Sequence, residues 1–134
     1  MKPSKQVIKT AHALCKKFKV KLHMQKGLTK KWDIAGHAHC WTGDIYIDTT
    51  LDIIEFTTTL FHEIQHCLNY RNKKYYNYHK GNASKKDLRR LGLRAEIYTD
   101  IQAKKLAKSF GFTNYQRSYK NNKYYRDMIK ARFA

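Results

Sequence analysis

The sequence predicts an α+β fold in which a small three-stranded sheet lies between an N-terminal helix and two later helices. Three segments carry apolar residues at helical spacing, namely 5–18, 53–67 and 85–110. Between the first two, short stretches have the composition of strands, at 20–24 and 45–48. The 134 residues include a single Pro, and 42% of them are hydrophobic. We therefore expect one domain, residues 1–134, with a core that needs no disulfide bond.

The first predicted helix covers residues 5–18, where one face carries Val7, Ile8, Ala11, Leu14, Cys15 and Phe18. Residues 20–24 then alternate between apolar and polar side chains, as a short strand does. Residues 32–41 and 45–48 flank Thr42-Gly43-Asp44, a favourable turn sequence. This arrangement predicts a β-hairpin.

The second helix has a clear start signal. Asp52 can accept backbone hydrogen bonds as its N-cap, and Glu55 follows three residues later, as in a capping box. Its core face is predicted to consist of Ile53, Phe56, Leu60, Ile64 and Cys67. His62 and His66 lie roughly opposite that stripe, so we expect them to face a cleft or another helix.

The third helix is predicted to begin at a cap formed by Ser84 and Asp87 and to end at Gly111. Its apolar side is predicted to be Leu88, Leu91, Ala95, Tyr98, Leu106 and Phe110. Residues 70–82, which precede it, are polar, basic and rich in Tyr, and they predict a loop. Residues 113–134 form a basic, Tyr-rich C-terminal extension that we expect to be helical over 113–133.

The charge balance is strongly basic. Lys and Arg number 28 and Asp and Glu number 10, which gives a formal net charge of +18. Such a charge favours acidic partners, nucleic acid among them, although it also serves solubility. The three cysteines, Cys15, Cys40 and Cys67, include no CxxC pair, which argues against a disulfide framework and against a Cys-based zinc site. With no predicted signal peptide or membrane span, these features predict a cytoplasmic protein.

The segment His62-Glu63-Ile64-Gln65-His66 is an HExxH motif. Residues four apart on a helix lie one turn above each other, so the two imidazoles can bind one tetrahedral Zn²⁺. Glu63 follows the first histidine and can take a proton from a water that the metal activates. The alternative is a surface helix with two solvated histidines, which the capped and well-patterned helix disfavours.

A catalytic zinc normally has three protein ligands and one open position, so a third ligand is needed. Glu96 is the favoured candidate, and Asp100, one turn later, can hydrogen-bond a ligating histidine and fix its tautomer. Glu96 could instead be an ordinary helical glutamate paired with a nearby base. The other candidate ligand is His79, which could also donate to a developing oxyanion or be a solvated histidine in a basic loop.

HExxH followed by Glu96-xxx-Asp100-xx-Ala103 resembles the gluzincin branch of zinc metallopeptidases, and in particular the minigluzincins and ImmA/IrrE-like peptidases. A second resemblance is to SprT-like proteases. It is carried by the stretch from Ala35 to Trp41, by Ile45-Tyr46-Ile47-Asp48, and by Thr59-Leu60-Phe61 before the motif. That family uses a third histidine, which would give the ligand role to His79.

These resemblances imply a zinc endopeptidase that hydrolyses peptide bonds with a zinc-activated water and Glu63 as general base. They also imply that an edge strand, from residues 35–41 or 45–48, holds an extended substrate by main-chain hydrogen bonds. A Tyr or His would stabilise the tetrahedral oxyanion, and the candidates are His79, Tyr98, Tyr115 and Tyr119.

A different class of function remains open: a nucleic-acid-binding protein whose zinc site is structural or vestigial. Eight of the ten tyrosines fall in the basic stretches 70–78 and 115–125, where bases could stack and phosphates bind. The two functions can coexist in a protease that acts on nucleic-acid-associated proteins. His37 and His39 share one strand face, where ordinary strand polarity is a better explanation than a second metal site.

Overall fold

The structure, a computed structural model, describes residues 1–116 together with Asp127 and Lys130. Eight elements follow one another in the first of these ranges: α1 (Lys5–Lys17), β1 (Lys21–Gln25), α2 (Leu28–Trp32), β2 (Gly36–His39), β3 (Asp44–Asp48), α3 (Ile53–Arg71), α4 (Tyr76–His79) and α5 (Lys85–Ser109). The predicted α+β class is confirmed. Of the helix expected at 113–133, residues 113–116 are not helical, Asp127 and Lys130 are helical, and the remainder lies outside the described residues.

The three strands form one mixed sheet in the order β1-β3-β2. β1 runs parallel to β3, and β2 runs antiparallel to it, which confirms the predicted hairpin. Gly43, in the connecting turn, has a φ of 78°, a left-handed conformation that glycine adopts without steric cost. The first arm of the hairpin is shorter than expected, because residues 28–32 form a helical turn and the strand begins only at Gly36.

The main core lies between one face of this sheet and the helices α1 and α3. Ile45 and Ile47 on the central strand are completely buried there, as is Ile64 of α3. The other side of β3 carries Asp44 and Tyr46, which are only half-buried. The sheet therefore covers the core with one face and leaves the other partly open to solvent.

Helix α3 begins as the capping signal predicts, because the Asp52 carboxylate accepts a hydrogen bond from the Glu55 amide at 2.9 Å. The predicted stripe is buried from Phe56 to Cys67, whereas Ile53, in the first turn, is 37% exposed. The helix continues to Arg71, whose guanidinium donates to the carbonyls of Phe18 and Lys19 after α1. This helix thus connects the core of the sheet to the end of α1.

Helix α5 begins at the predicted cap, where the Ser84 hydroxyl accepts from the Asp87 amide at 3.1 Å. Its predicted apolar side was partly wrong: Ala95 is fully buried and Leu106 packs against the core, but Leu88 and Phe110 are 40% and 42% exposed. The buried residues of α5, which packs along α3, are Gly92, Leu93, Ala95, Glu96, Thr99, Asp100, Ala103 and Ala107. The small residues among them let the two helices approach closely, and the polar ones meet the histidines of α3.

The segment 70–82 was predicted as a loop, and this prediction was partly wrong. Helix α3 extends to Arg71, and Tyr76–His79 form the single helical turn α4. The other unexpected turn, α2, is held by a distant residue, because the Asp48 carboxylate accepts from the Thr29 amide at 2.7 Å. Neither turn is long enough to produce a periodic apolar signal in the sequence.

All three cysteines are free and buried, as the absence of a disulfide framework predicts. Over the described residues, no helix combines the length and the apolar composition that crossing a bilayer requires.

Candidate metal centre

Helix α3 places His62 and His66 one turn apart, with their Nε2 atoms 3.0 Å from each other. Glu63 lies beside them, and all three side chains are buried, with at most 9% of each residue exposed. Together they form a group that can hold a metal ion. The predicted geometry of the HExxH helix, with its two rings converging on one point, is therefore present.

Helix α5 brings Glu96 to the same point. Its Oε1 atom lies 3.0 Å from Nε2 of His62 and 3.0 Å from Nε2 of His66, and its Oε2 atom is also 3.0 Å from the latter. Donor atoms around a tetrahedral zinc lie about 3.3 Å apart, since each is about 2.0–2.1 Å from the metal. The three side chains thus have nearly the mutual spacing that one small cation requires.

Asp100, one turn after Glu96, orients His62. Its Oδ1 atom lies 2.9 Å from Nδ1 of His62 and 2.6 Å from the hydroxyl of Tyr115. A carboxylate only accepts hydrogen bonds, so Nδ1 of His62 donates and its Nε2 carries the lone pair. This is the role predicted for Asp100, and the lone pair points toward Glu96.

His79 lies behind His66. Its Nδ1 is 3.0 Å from the carbonyl oxygen of Tyr75, and its Nε2 is 2.7 Å from Nδ1 of His66. A carbonyl can only accept, so Nδ1 of His79 donates to it and Nε2 accepts from His66. Both nitrogens of His79 are thereby used, which disfavours it as a ligand or as an oxyanion donor. The same chain of hydrogen bonds leaves the lone pair on Nε2 of His66.

The donor set fits a divalent cation. When both imidazoles are neutral and in these tautomers, their two lone pairs and the Glu96 carboxylate face one another at about hydrogen-bond distance, and a cation at this point satisfies all three. Burial alone would lower the pKa of His62, but Asp100 and Glu96 outweigh it and hold that pKa well above its ordinary value. Burial would likewise raise the pKa of Glu96, but His66 and His62 hold it well below the usual range. Both shifts indicate a strong preference for cationic charge at this point.

Glu63 differs from Glu96 in its contacts. Its Oε2 atom is buried and has no hydrogen-bond partner among the described residues, and other atoms of Glu63 contribute to the floor of an open cleft. Burial raises the pKa of Glu63, and the neighbouring His66 and His62 partly oppose that rise. An unpartnered carboxylate oxygen beside the donor set is available to a water or a substrate group.

The cleft in front of these residues has a volume of about 480 Å³. One wall is β2, which lies at the edge of the sheet and contributes Gly36 through Ala38. The opposite wall includes Tyr78, Gly81 and Leu88, and the floor is the metal-binding group itself. Among the described strands β2 pairs with β3 alone, so its other backbone edge can meet an extended chain lying in the cleft.

Gly36 allows β2 to lie this close to α3. A Cβ atom at this position would stand 2.6 Å from the carbonyl oxygen of Tyr46 and 2.7 Å from Cγ2 of Thr59. Any side chain would therefore push the strand away from the helix that carries the histidines.

Tyr78 is a residue of the site that the sequence did not single out. Its hydroxyl lies 2.9 Å from Oε2 of Glu96, and its ring lines the cleft. In the sequence Tyr78 is one of the tyrosines of 70–78, and no pattern distinguishes it from the others.

Two other predicted oxyanion candidates do not line the cleft. Tyr115 is buried and its hydroxyl donates to Asp100, and the ring of Tyr98 meets that of Tyr75 at an interplanar angle of 57°, with ring centroids 5.6 Å apart. Tyr119 lies outside the described residues. On the sheet, the rings of His37 and His39 are 5.1 Å apart, and no third ligating side chain joins them in the described ranges.

Comparisons of the chain with models of known protein families, with curated proteins and with solved structures found no match.

Proposed function

We propose that the protein is a zinc-dependent endopeptidase of gluzincin type. The observation that carries this proposal is the convergence of His62, His66 and Glu96 beside the unpartnered carboxylate of Glu63, on the floor of an open cleft. Two imidazoles and one carboxylate form a ligand set typical of catalytic zinc, which leaves a fourth position open. The free thiols of the buried cysteines suit the reducing cytoplasm that we also propose as the location.

Each residue has a distinct task in this proposal. A zinc ion held by the three ligands would polarise the scissile carbonyl and lower the pKa of water. Glu63 accepts the proton of the attacking water at its buried oxygen and passes it to the leaving amine. Because burial raises its pKa, Glu63 holds a proton more readily than an exposed glutamate does.

The substrate is proposed to lie along β2 as an additional strand. The backbone edge of Gly36–His39 offers main-chain hydrogen bonds that do not depend on side-chain sequence. Tyr78, on the opposite wall, donates its hydroxyl hydrogen to Oε2 of Glu96 at 2.9 Å. In this proposal the hydroxyl turns toward the reacting carbonyl and donates that hydrogen to the developing negative charge instead. In this proposal Tyr78 takes the role for which the sequence offered His79, Tyr98 and Tyr115, whereas Tyr119 lies outside the described residues.

The test is a Glu63→Gln variant, compared with wild type for zinc content and for cleavage of a peptide library followed by mass spectrometry. We expect the variant to bind one zinc and to lose cleavage by about 10²–10⁴-fold, the usual effect of removing a general base. Glu55→Gln makes the same chemical change on the exposed first turn of the same helix and should retain activity. Equal cleavage by wild type and Glu63→Gln would reject the proposal.

A further inference from the structure

A cluster of lysines and tyrosines lies where the end of α3 and the turn before α4 meet α5. This Lys–Tyr patch consists of Tyr70, Lys73, Lys74, Tyr76 and Tyr98. The rings of Tyr70 and Tyr76 stack with centroids 5.4 Å apart and an interplanar angle of 19°. The ammonium groups of Lys73 and Lys74 lie 5.9 Å and 5.5 Å from the ring centroids of Tyr76 and Tyr98.

The backbone of this turn adopts an uncommon conformation. Lys73 and Tyr75 have φ angles of 56° and 51°, and left-handed residues other than glycine are rare, above all bulky ones. Backbone hydrogen bonds hold the turn, from Lys73 to Tyr70 at 3.1 Å and from Lys74 to Asn69 at 2.8 Å. The turn therefore has a defined backbone conformation, in which Lys73 and Lys74 directly follow the end of α3.

The charge around the patch has one sign. Residues 64–86 contain no Asp or Glu, and their cations are Arg71, Lys73, Lys74, Lys80, Lys85 and Lys86. The next two acidic residues are accounted for elsewhere, because Asp87 pairs with Arg90 at 3.8 Å and Glu96 is buried in the candidate metal centre. The surface is therefore complementary to a polyanion.

We propose that the Lys–Tyr patch binds single-stranded nucleic acid without sequence preference. Lys73 and Lys74 leave the tyrosine rings they cover and contact backbone phosphates, while a base stacks on Tyr76, which is 42% exposed. A single strand is the expected form, because the bases of a duplex are already stacked on one another. This function goes beyond the proposed peptidase activity and does not depend on it.

The position of the patch links it to the cleft. Tyr75, whose carbonyl oxygen holds His79, lies within the same turn, and Tyr78 of the following helical turn lines the cleft. A nucleic acid on the patch would therefore lie beside the place where a peptide is proposed to bind.

A second group of rings, on the open face of the sheet, is less suited to this role. Tyr46 lies between His23 and His37 with centroid distances of 4.6 Å and 4.7 Å and interplanar angles of 16° and 9°. Its two faces are thus covered by neighbouring rings, and Asp44 adds a negative charge at the end of this row by its contact with His23 at 2.8 Å. We do not expect bases to stack there.

The first experiment measures fluorescence anisotropy of labelled 20-mers of deoxythymidine and of uridine at 50 and 200 mM salt. Lys73→Gln/Lys74→Gln should weaken binding about tenfold or more at the lower salt and reduce the slope of log affinity against log salt by about 1.4, for two lost phosphate contacts. Lys30→Gln/Lys31→Gln is the matched control, since it removes two adjacent exposed lysines, one of which also covers an aromatic ring, Trp32 at 5.2 Å. The control pair should change the affinity by less than about twofold.

The second experiment separates stacking from charge. Tyr76→Leu should weaken binding about fivefold or more, whereas Tyr76→Phe, which keeps the ring, should bind like wild type. Melting temperatures of all variants show that each one is folded. No binding at 50 mM salt, an equal loss in the control pair, or equal binding by Tyr76→Leu and Tyr76→Phe would each overturn the proposal. Equal affinity for polyglutamate or for phosphatidylserine vesicles would also overturn it, because it would show a general anion-binding surface.

Discussion

The Nδ1 atom of His66 lies 2.7 Å from the Nε2 atom of His79, so one histidine orients another. The more familiar partner of a ligating histidine is a carboxylate or a backbone carbonyl, and Asp100 supplies that contact to His62. The two candidate ligands on α3 therefore have different hydrogen-bond partners: His62 donates to an anionic carboxylate and His66 to a neutral imidazole. Because the carbonyl of Tyr75 fixes the tautomer of His79, the lone pair on His66 depends on the turn before α4.

The first prediction concerns His79. His79→Ala should still bind one equivalent of zinc, but with affinity about 10–100-fold lower, the usual effect of losing a residue that orients a ligand. His79→Gln should recover part of that loss, because its amide oxygen can accept from Nδ1 of His66. Zinc affinity is measured by competition with a chelator, with His39→Ala as the control. Complete loss of zinc from both His79 variants would show instead that His79 is a ligand.

The second prediction distinguishes the two buried glutamates. Glu96→Ala should lower zinc affinity further than His79→Ala does, that is, by more than about 100-fold. The reason is that it removes a donor atom that lies 3.0 Å from Nε2 of His62 and 3.0 Å from Nε2 of His66. Glu63→Ala should leave zinc binding nearly unchanged. Isothermal titration with zinc, on protein first stripped of metal, measures both. The opposite ranking would make Glu63 the ligand and would contradict the assignment of Glu96.

The sequence was informative where local spacing determines structure. The cap at Asp52 and the four-residue spacing of His62 and His66 predicted the helix and the convergence of their rings. Asp100, one turn after Glu96, was predicted to hydrogen-bond a ligating histidine, and its Oδ1 lies 2.9 Å from Nδ1 of His62, while Glu96 lies 3.0 Å from Nε2 of the same ring. These predictions held because helical geometry alone relates residues one turn apart.

The sequence was less informative about contacts between residues that lie far apart along the chain. Tyr78 and His79 lie in a single helical turn with no periodic pattern, so their neighbours in α3 and α5 could not be inferred. The buried face of α5 was only partly predicted, for a related reason. Its most buried members include Thr99 and Asp100, polar residues that pair across helices, and a hydrophobicity pattern assigns such residues to the surface.

The third prediction concerns the approach of β2 to the histidine helix. Gly36→Ala should lower the free energy of unfolding by about 1–3 kcal/mol, because its Cβ would stand 2.6 Å from the carbonyl oxygen of Tyr46 and 2.7 Å from Cγ2 of Thr59. Thr59→Ser relieves only the second of these contacts, so the double variant should be somewhat more stable than the sum of the two single effects. Urea unfolding of the four proteins measures this coupling. Strict additivity would show that the contact does not exist in solution.

The fourth prediction is a pH dependence of stability that arises at Asp48, away from the metal centre. Burial tends to raise the pKa of this carboxyl, but hydrogen bonds from Thr29 and Thr50 outweigh it and lower the pKa from 3.8 to about 2. Since the folded pKa is lower than the unfolded one, Asp48 stabilises the fold fully above about pH 4 and progressively less as the pH falls toward 2. Asp48→Asn should therefore cost about 2 kcal/mol at pH 6, and the difference from wild type should shrink as the pH falls from 4 to 2. Urea unfolding at several pH values gives this difference, with the exposed Asp33→Asn as the control. A difference that stays constant over this range would show that the ionised carboxylate does not make these hydrogen bonds.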